Sequence, residues 1–293
     1  MKVLSLFDGI SCGRLAFERA GIPVERYVAY EIDENAIKVS KKNWSDIEYC
    51  GDVTKADFNQ YNGFDAIIGG FPCQDLSISK KDREGLNGKR SGLFWHLVRA
   101  IEEVKPRYFI VENNYKMPKK DQDIISKTLG VEPILIPSSL VSAQARYRLY
   151  WTNIPNVKLP IDRHIYMKDI VEHIDSRENY YDLTKFGNKY RQDVNRPIRI
   201  GTIGNGGQGE RVYNIKGKSV TLKANGGGRG AKGGLYLIDG VVRKPTPIEC
   251  ERLQTFMKLI NMPSKRHSTI FQKSKNMAMC LRRTLHSMMG LIS

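Results

Sequence analysis

The first half of the chain repeats one pattern: a short apolar run, a turn carrying glycine or a carboxylate, then a helical stretch. Residues 3–6, 27–30, 66–68 and 108–111 read as strands, and residues 13–20, 34–42 and 92–104 as helices. Strands alternating with helices build βαβ units, so the spacing predicts a mainly parallel sheet with helices on its faces. In such sheets ligands sit at the carboxyl ends of the strands. Asp8 and Gly9, Glu31, Asp52, Pro72 and Cys73, and Glu112 all fall at those ends.

The pattern changes after about residue 155. Residues 201–240 hold 13 of the 26 glycines, with Lys and Arg between them. Short strand-like runs at 212–213, 220–222 and 235–237 favour a small second domain of strands and loops over a flexible linker. A helical pattern resumes from about Pro245 to Phe256. The expected layout is 1–154 for catalysis and cofactor binding, 155–243 for a mainly β domain, 244–256 as a helix returning to the first domain, and 257–293 as a basic tail.

Charge follows the same division. The chain carries 47 Lys and Arg against 31 Asp and Glu, a net of +16. Residues 1–150 carry 22 against 20, residues 151–256 carry 18 against 11, and residues 257–293 carry 7 against none. The excess lies in the second half and favours a polyanionic partner, most simply nucleic acid, over a merely solvated basic face. No apolar run approaches the ~20 residues that span a membrane, and the apolar start meets Asp8 too early for a secretory signal. The reading is a cytoplasmic protein, prokaryotic or phage-encoded, acting as a monomer. The five cysteines, at 12, 50, 73, 250 and 280, form no Cys-x-x-Cys pair and no metal spacing with histidine, so neither disulfides nor a metal is expected.

Phe7-Asp8-Gly9-Ile10-Ser11-Cys12-Gly13 follows a strand and opens a helix, where glycine lets the backbone approach a ligand and free N–H groups face it. Glu31-Ile32 follows the second strand, where a carboxylate can take ribose hydroxyls. Asp52-Val53 follows a third apolar stretch and could receive an adenine amino group. Together these imply an adenosine-containing cofactor without saying which. Cys73, within Gly69-Gly70-Phe71-Pro72-Cys73-Gln74, is placed as a nucleophile would be, although a structural thiol has the same local look. Glu112 would project from the same sheet edge.

The order of these motifs resembles the cytosine-C5 DNA methyltransferases to about residue 256. Phe7-Asp8-Gly9 is similar to the family's cofactor motif, Phe71-Pro72-Cys73-Gln74 to its Pro-Cys nucleophile motif, and Glu112-Asn113-Asn114 to its Glu-Asn-Val motif, with Asn114 a departure. Gln144-Ala145-Arg146-Tyr147-Arg148 matches its Gln-x-Arg-x-Arg motif. Residues 245–254 resemble the motif that packs under the recognition domain. The resemblance implies a Rossmann-like class I methyltransferase fold, S-adenosyl-L-methionine as methyl donor, double-stranded DNA as substrate and a restriction-modification setting.

It also implies roles. Cys73 adds to carbon 6 of a flipped-out cytosine, Glu112 meets ring nitrogen 3 and the exocyclic amine, and Arg146 or Arg148 meets the ring oxygen. Phe7, Asp8, Gly9, Ile10, Ser11, Cys12, Glu31, Ile32, Asp52, Val53 and Pro72 line the donor. A polar loop over residues 77–91 closes on the base. Gln74, Ser77, Lys89, Arg199, Arg211, Thr221, Lys223 and Arg229 contact DNA, with Thr221-Leu222 resembling the Thr-Leu pair of the family's recognition domains.

The likeness ends after Phe256. Met257 stands where the family has proline, and no Gly-Asn pair follows, with Asn276 the nearest remnant. The last 37 residues hold six of the nine methionines and no acid. They read as a diverged or frame-shifted tail, and a pocket lacking that wall predicts weak donor binding. Two alternatives remain: a transfer-RNA cytosine methylase, whose Cys-Phe-Thr tripeptide is absent here, and a DNA-binding relic without catalysis.

Overall fold

The structure is a computed structural model. It describes residues 1–76, 84–173, 181, 185–186, 193–223, 229–230 and 233–255. The expected recognition residue Ser77, part of the closing loop, Phe256 and the whole tail lie outside them.

The described chain forms two compact units. The first contains Met1–Ile136 and Tyr147–Leu159, and the second contains Pro137–Arg146 and the described chain from Pro160. These differ from the expected ranges in two ways. A short segment, Pro137–Arg146, leaves the first unit, and the helix after Pro245 belongs to the second unit rather than returning to the first. That helix carries Cys250 and Leu253 into a cluster with Ala143, Met167, Leu222, Tyr236 and Ile238. Burial of that apolar face decides where it packs.

The first unit is built on β1 (Lys2–Leu6), β2 (Arg26–Tyr30), β3 (Ile47–Tyr49), β4 (Ala66–Gly69), β5 (Tyr108–Asn114), β6 (Ile134–Pro137) and β7 (Tyr147–Thr152), in the sheet order β3-β2-β1-β4-β5-β7-β6. The first five are mutually parallel, and β7 runs antiparallel to β5. The helices α1 (Cys12–Ala20), α2 (Glu34–Asn43), α3 (Phe94–Val104) and α4 (Lys119–Leu129) fill the connections. Leu4, Leu6, Val28, Ile67 and Val111 meet Phe58, Phe94 and Leu97 in one buried core, which is why these strands read as unbroken apolar runs.

Register places the site. Leu6 pairs with both Tyr30 and Gly69, and Gly69 pairs with Val111, so β1, β2 and β4 end level beside β5. β5 does not stop at 111 as the sequence suggested. It continues to Asn114 because β7 supplies partners, Tyr150 for Glu112, Leu149 for Asn113 and Arg148 for Asn114. Glu112 is therefore a strand residue held by a ladder, not the first residue of a loop.

The second unit has a five-stranded sheet in the order β12-β11-β10-β9-β8, from β8 (Lys185–Phe186), β9 (Ile198–Thr202), β10 (Arg211–Asn214), β11 (Leu235–Ile238) and β12 (Val241–Arg243). Residues 220–222, expected as a strand, lie outside the ladders of the sheet. The Val220 N–H donates to the Tyr236 hydroxyl and the Thr221 hydroxyl donates to the Ala145 carbonyl, so side chains take the place of strand partners. The helix α5 (Pro247–Leu253) starts at a capping box between Thr246 and Glu249 with Pro247 in its first turn, the arrangement a helix start requires.

Candidate active site

The turn after β1 is tightly wound. Phe7, Gly9 and Ser11 all have positive φ, at 59°, 62° and 58°. Two of these are not glycine, so surrounding bonds must hold the backbone there. Asp8 supplies them. Its buried carboxylate accepts from Ser5 Oγ at 2.5 Å, Tyr27 OH at 2.8 Å and Ser11 Oγ. Burial pushes the Asp8 carboxyl up to about 6, against the opposing pull of the Ser11, Ser5 and Tyr27 hydroxyls. Asp8 thus turns inward and fixes the turn expected to line the cofactor. Ile10 and Cys12 are likewise buried, and offer a ligand only backbone. Gly13 is needed for packing: a Cβ there would lie 2.2 Å from Ile68 Cδ1.

Glu31 bridges the ends of β1 and β2. Its carboxylate accepts from the Gly9 N–H at 2.7 Å and from the N–H groups of Ile32 and Asp33 at 2.8 Å each. A carboxylate has about four lone-pair directions, so one remains for a hydroxyl. Ile32 is 73% exposed. Asp52 caps the short turn Val53–Lys55 by accepting from the Thr54 N–H at 2.9 Å, and that bond holds its carboxyl below the usual range. Val53 is buried behind it.

Cys73 is half-buried on a turn closed by the Leu76 N–H donating to its carbonyl at 3.2 Å. Two residues given no role from the sequence fix this turn. Asp75 accepts from the N–H groups of Arg90 and Ser91, both at 3.0 Å, and Ser91 Oγ donates to the Pro72 carbonyl at 3.0 Å. Gly88 is required beside them, since a Cβ there would lie 2.6 Å from the Asp75 carboxylate. The Asn113 amide donates to the Phe71 carbonyl at 3.1 Å, tying the end of β5 to the Cys73 loop. No periodicity announces these residues; only the fold brings 75 next to 91.

Glu112 and Arg148 face each other across β5 and β7, with Arg148 Nε 2.5 Å from Glu112 Oε1 and side-chain exposures of 9% for Glu112 and 12% for Arg148. Arg148, one of the two arginines expected at the substrate's ring oxygen, is engaged by Glu112. Arg146 is buried in the second unit, where its carbonyl accepts from the Ser138 N–H at 2.7 Å.

Of the residues expected to meet DNA, Gln74, Lys89, Lys223 and Arg229 are exposed, and Arg199, Arg211 and Thr221 half-buried. Burial raises the Tyr213 hydroxyl above its ordinary range, against the opposing pull of the Arg211 and Arg199 charges. Among the described residues no cluster of His, Cys, Asp or Glu could hold a metal, and no helix is long and apolar enough to cross a membrane.

Comparison with known proteins decides the family. Residues 1–131 match the family described as C-5 cytosine-specific DNA methylase. The chain is 31% identical over 282 residues to the Type II methyltransferase M.HhaI of Haemophilus parahaemolyticus, covering 87% of this chain and 84% of that protein. The chain belongs to the C5 cytosine DNA methyltransferases. It is also 37% identical over 128 residues to the Type II methyltransferase M1.ScrFI of Lactococcus lactis subsp. cremoris, a match spanning 44% of this chain and 32% of that one. The S. pombe Dnmt2 methyltransferase superposes with a TM-score of 0.68 at 15% identity, over 100% of this chain and 98% of that one, which places the fold among the methyltransferases.

Proposed function

We propose that this methyltransferase modifies carbon 5 of cytosine in duplex DNA through a covalent Cys73 adduct, using S-adenosyl-L-methionine. The observation that carries the proposal is the joined pair of strand ends: the Cys73 loop after β4 and the Glu112–Arg148 pair on β5 and β7, linked through Asn113. Carbon 5 of cytosine is a weak nucleophile. Addition of the Cys73 thiolate to carbon 6 makes the ring an enamine whose carbon 5 can accept a methyl group. Glu112, protonated when the base is bound, donates to ring nitrogen 3 as negative charge develops on the ring and accepts from the exocyclic amine. Arg148 orients Glu112, and Arg146 is assigned the ring oxygen on the family pattern. A water molecule then takes the carbon 5 proton, the electrons of that bond re-form the ring double bond between carbons 5 and 6, and the carbon–sulfur bond breaks to return the Cys73 thiolate.

The donor set fits the cofactor. Glu31 keeps one acceptor direction for a ribose hydroxyl, Asp52 follows β3, and the left-handed turn at 7–11 presents backbone beside Phe7. When bound, S-adenosyl-L-methionine supplies an electrophilic sulfonium methyl. Arg199, Arg211, Thr221, Lys223 and Arg229 are assigned to DNA, with phosphate binding as the main contribution. Bisulfite sequencing of plasmid from cells expressing the chain tests the whole reading: methylated cytosines in a fixed sequence context support it, and an unmodified plasmid despite soluble protein contradicts it.

A further inference from the structure

Lys218 is fully buried, and its ammonium donates three hydrogen bonds to main chain. Nζ donates to the carbonyls of Ser139 at 2.6 Å, Ile165 at 2.7 Å and Ser142 at 3.2 Å. It also lies 5.0 Å from the centre of the Tyr166 ring and 4.0 Å from an Asp162 carboxylate oxygen. An ammonium has three donors and no acceptor, so three converging carbonyls match it completely. Burial lowers the Lys218 ammonium's hold on its proton, which marks the cost of placing a charge there. Stability alone rarely requires that cost, since an apolar side chain in a repacked site often does as well.

What the ammonium holds is the segment that carries Gln144 and Arg146. Ser139 and Ser142 lie on its approach, around the turn Ser138–Leu140. The residues after Lys218 then clamp the segment itself. The Ser219 N–H donates to the Ala143 carbonyl at 2.6 Å, the Ala145 N–H donates to the Ser219 carbonyl at 3.0 Å, and Thr221 Oγ1 donates to the Ala145 carbonyl at 2.5 Å. Residues 218–221 thus hold 139–145 through five hydrogen bonds, two donated by the ammonium, one each donated by Ser219 and Thr221, and one accepted by Ser219, and Arg146 follows directly. The buried amide of Gln144 has no hydrogen-bond partner among the described residues, so its own side chain contributes no such anchor.

We propose that Lys218 is a positioning residue for methyl transfer, setting the register of residues 143–146 and so the aim of Arg146, and coupling that segment to the recognition residue Thr221. The proposal rests on Arg146 acting in the reaction. The test is a double-mutant cycle on the single-turnover rate of covalent adduct formation, at saturating donor and DNA in which cytosine is replaced by 5-fluorocytosine. Lys218→Met should slow adduct formation by about tenfold or more, as sub-ångström misplacement of a catalytic group does, with DNA affinity changed by less than about twofold. Arg146→Gln should also be slow, and the double variant should be no slower than Arg146→Gln alone, because Lys218 acts through Arg146. If Lys218→Met does not fold, Lys218→Gln, which keeps two donors, replaces it and should fall between wild type and Arg146→Gln. A wild-type rate in the Lys218 variant beside a slow Arg146→Gln overturns the inference, as do effects that multiply in the double variant. A wild-type rate in Arg146→Gln overturns the reading of Arg146 and the inference with it.

Discussion

Arg148 Nε lies 2.5 Å from Glu112 Oε1, across two antiparallel strands and largely shielded from water. The two residues are far apart in sequence, and the pairing of β7 with β5 brings them together. Removing one member of a buried ion pair leaves the other charged and alone, which costs about 3–5 kcal/mol. Arg148→Met should therefore lower the melting temperature and the adduct rate together. Glu112→Gln keeps the shape but removes the acid, and should slow adduct formation by about 10²–10⁴-fold, the span of general acid–base catalysis. Single-turnover trapping reads both. A Glu112→Gln enzyme as fast as wild type would remove Glu112 from the chemistry.

Asp8 makes stability depend on pH. Its folded value of about 6 lies above its ordinary 3.8, so between those values the folded state holds a proton that the unfolded chain has released. Stability falls as pH rises through this window, and the penalty levels off above about 6. Two pKa units correspond to about 3 kcal/mol. Thermal melts from pH 4 to pH 7 should show this slope, and Asp8→Asn should flatten it. Equal slopes in the two proteins would mean that Asp8 ionises freely.

Ser91 should matter to Cys73 without touching the substrate. Ser91→Ala removes the bond to the Pro72 carbonyl and loosens the nucleophile's turn. The adduct rate should fall by about tenfold while calorimetric affinity for the methyl donor is unchanged. An unchanged rate would show that the turn holds without the Ser91 hydroxyl.

DNA binding should weaken steeply with salt. Each phosphate neutralised adds about 0.9 to the steepness of log affinity against log salt for duplex DNA. Replacing Arg199, Arg211, Lys223 and Arg229 together by Gln should flatten the slope by that amount for every phosphate no longer neutralised. An unaltered slope would move the DNA face elsewhere.

The sequence showed the parallel half of the sheet well, because strands covered on both faces must be continuously apolar and because the motif residues sit at the strand ends. It did not show β7, which begins inside the Gln-x-Arg-x-Arg motif and has little apolar pattern at its start, nor that Glu112 lies within a strand. The direction of the Asp8 side chain was also hidden: Phe7-Asp8-Gly9 reads the same whether the carboxylate faces a ligand or folds back on Ser5, Ser11 and Tyr27. In the second unit, residues 220–222 had strand composition but found side-chain and loop partners instead. Asp75, Ser91 and Lys218 act through hydrogen bonds that span 15 or more residues, which no local pattern encodes.

Covalent trapping tests the central claim most directly. Plasmid DNA copied with 5-fluorocytosine in place of cytosine offers every site at once, and fluorine at carbon 5 cannot leave as a proton does. With S-adenosyl-L-methionine present, the chain should form a protein–DNA adduct that survives denaturing electrophoresis, and Cys73→Ser should form none while still binding the DNA. Equal trapping by Cys73→Ser, or no adduct from folded, DNA-bound wild type, would contradict the account.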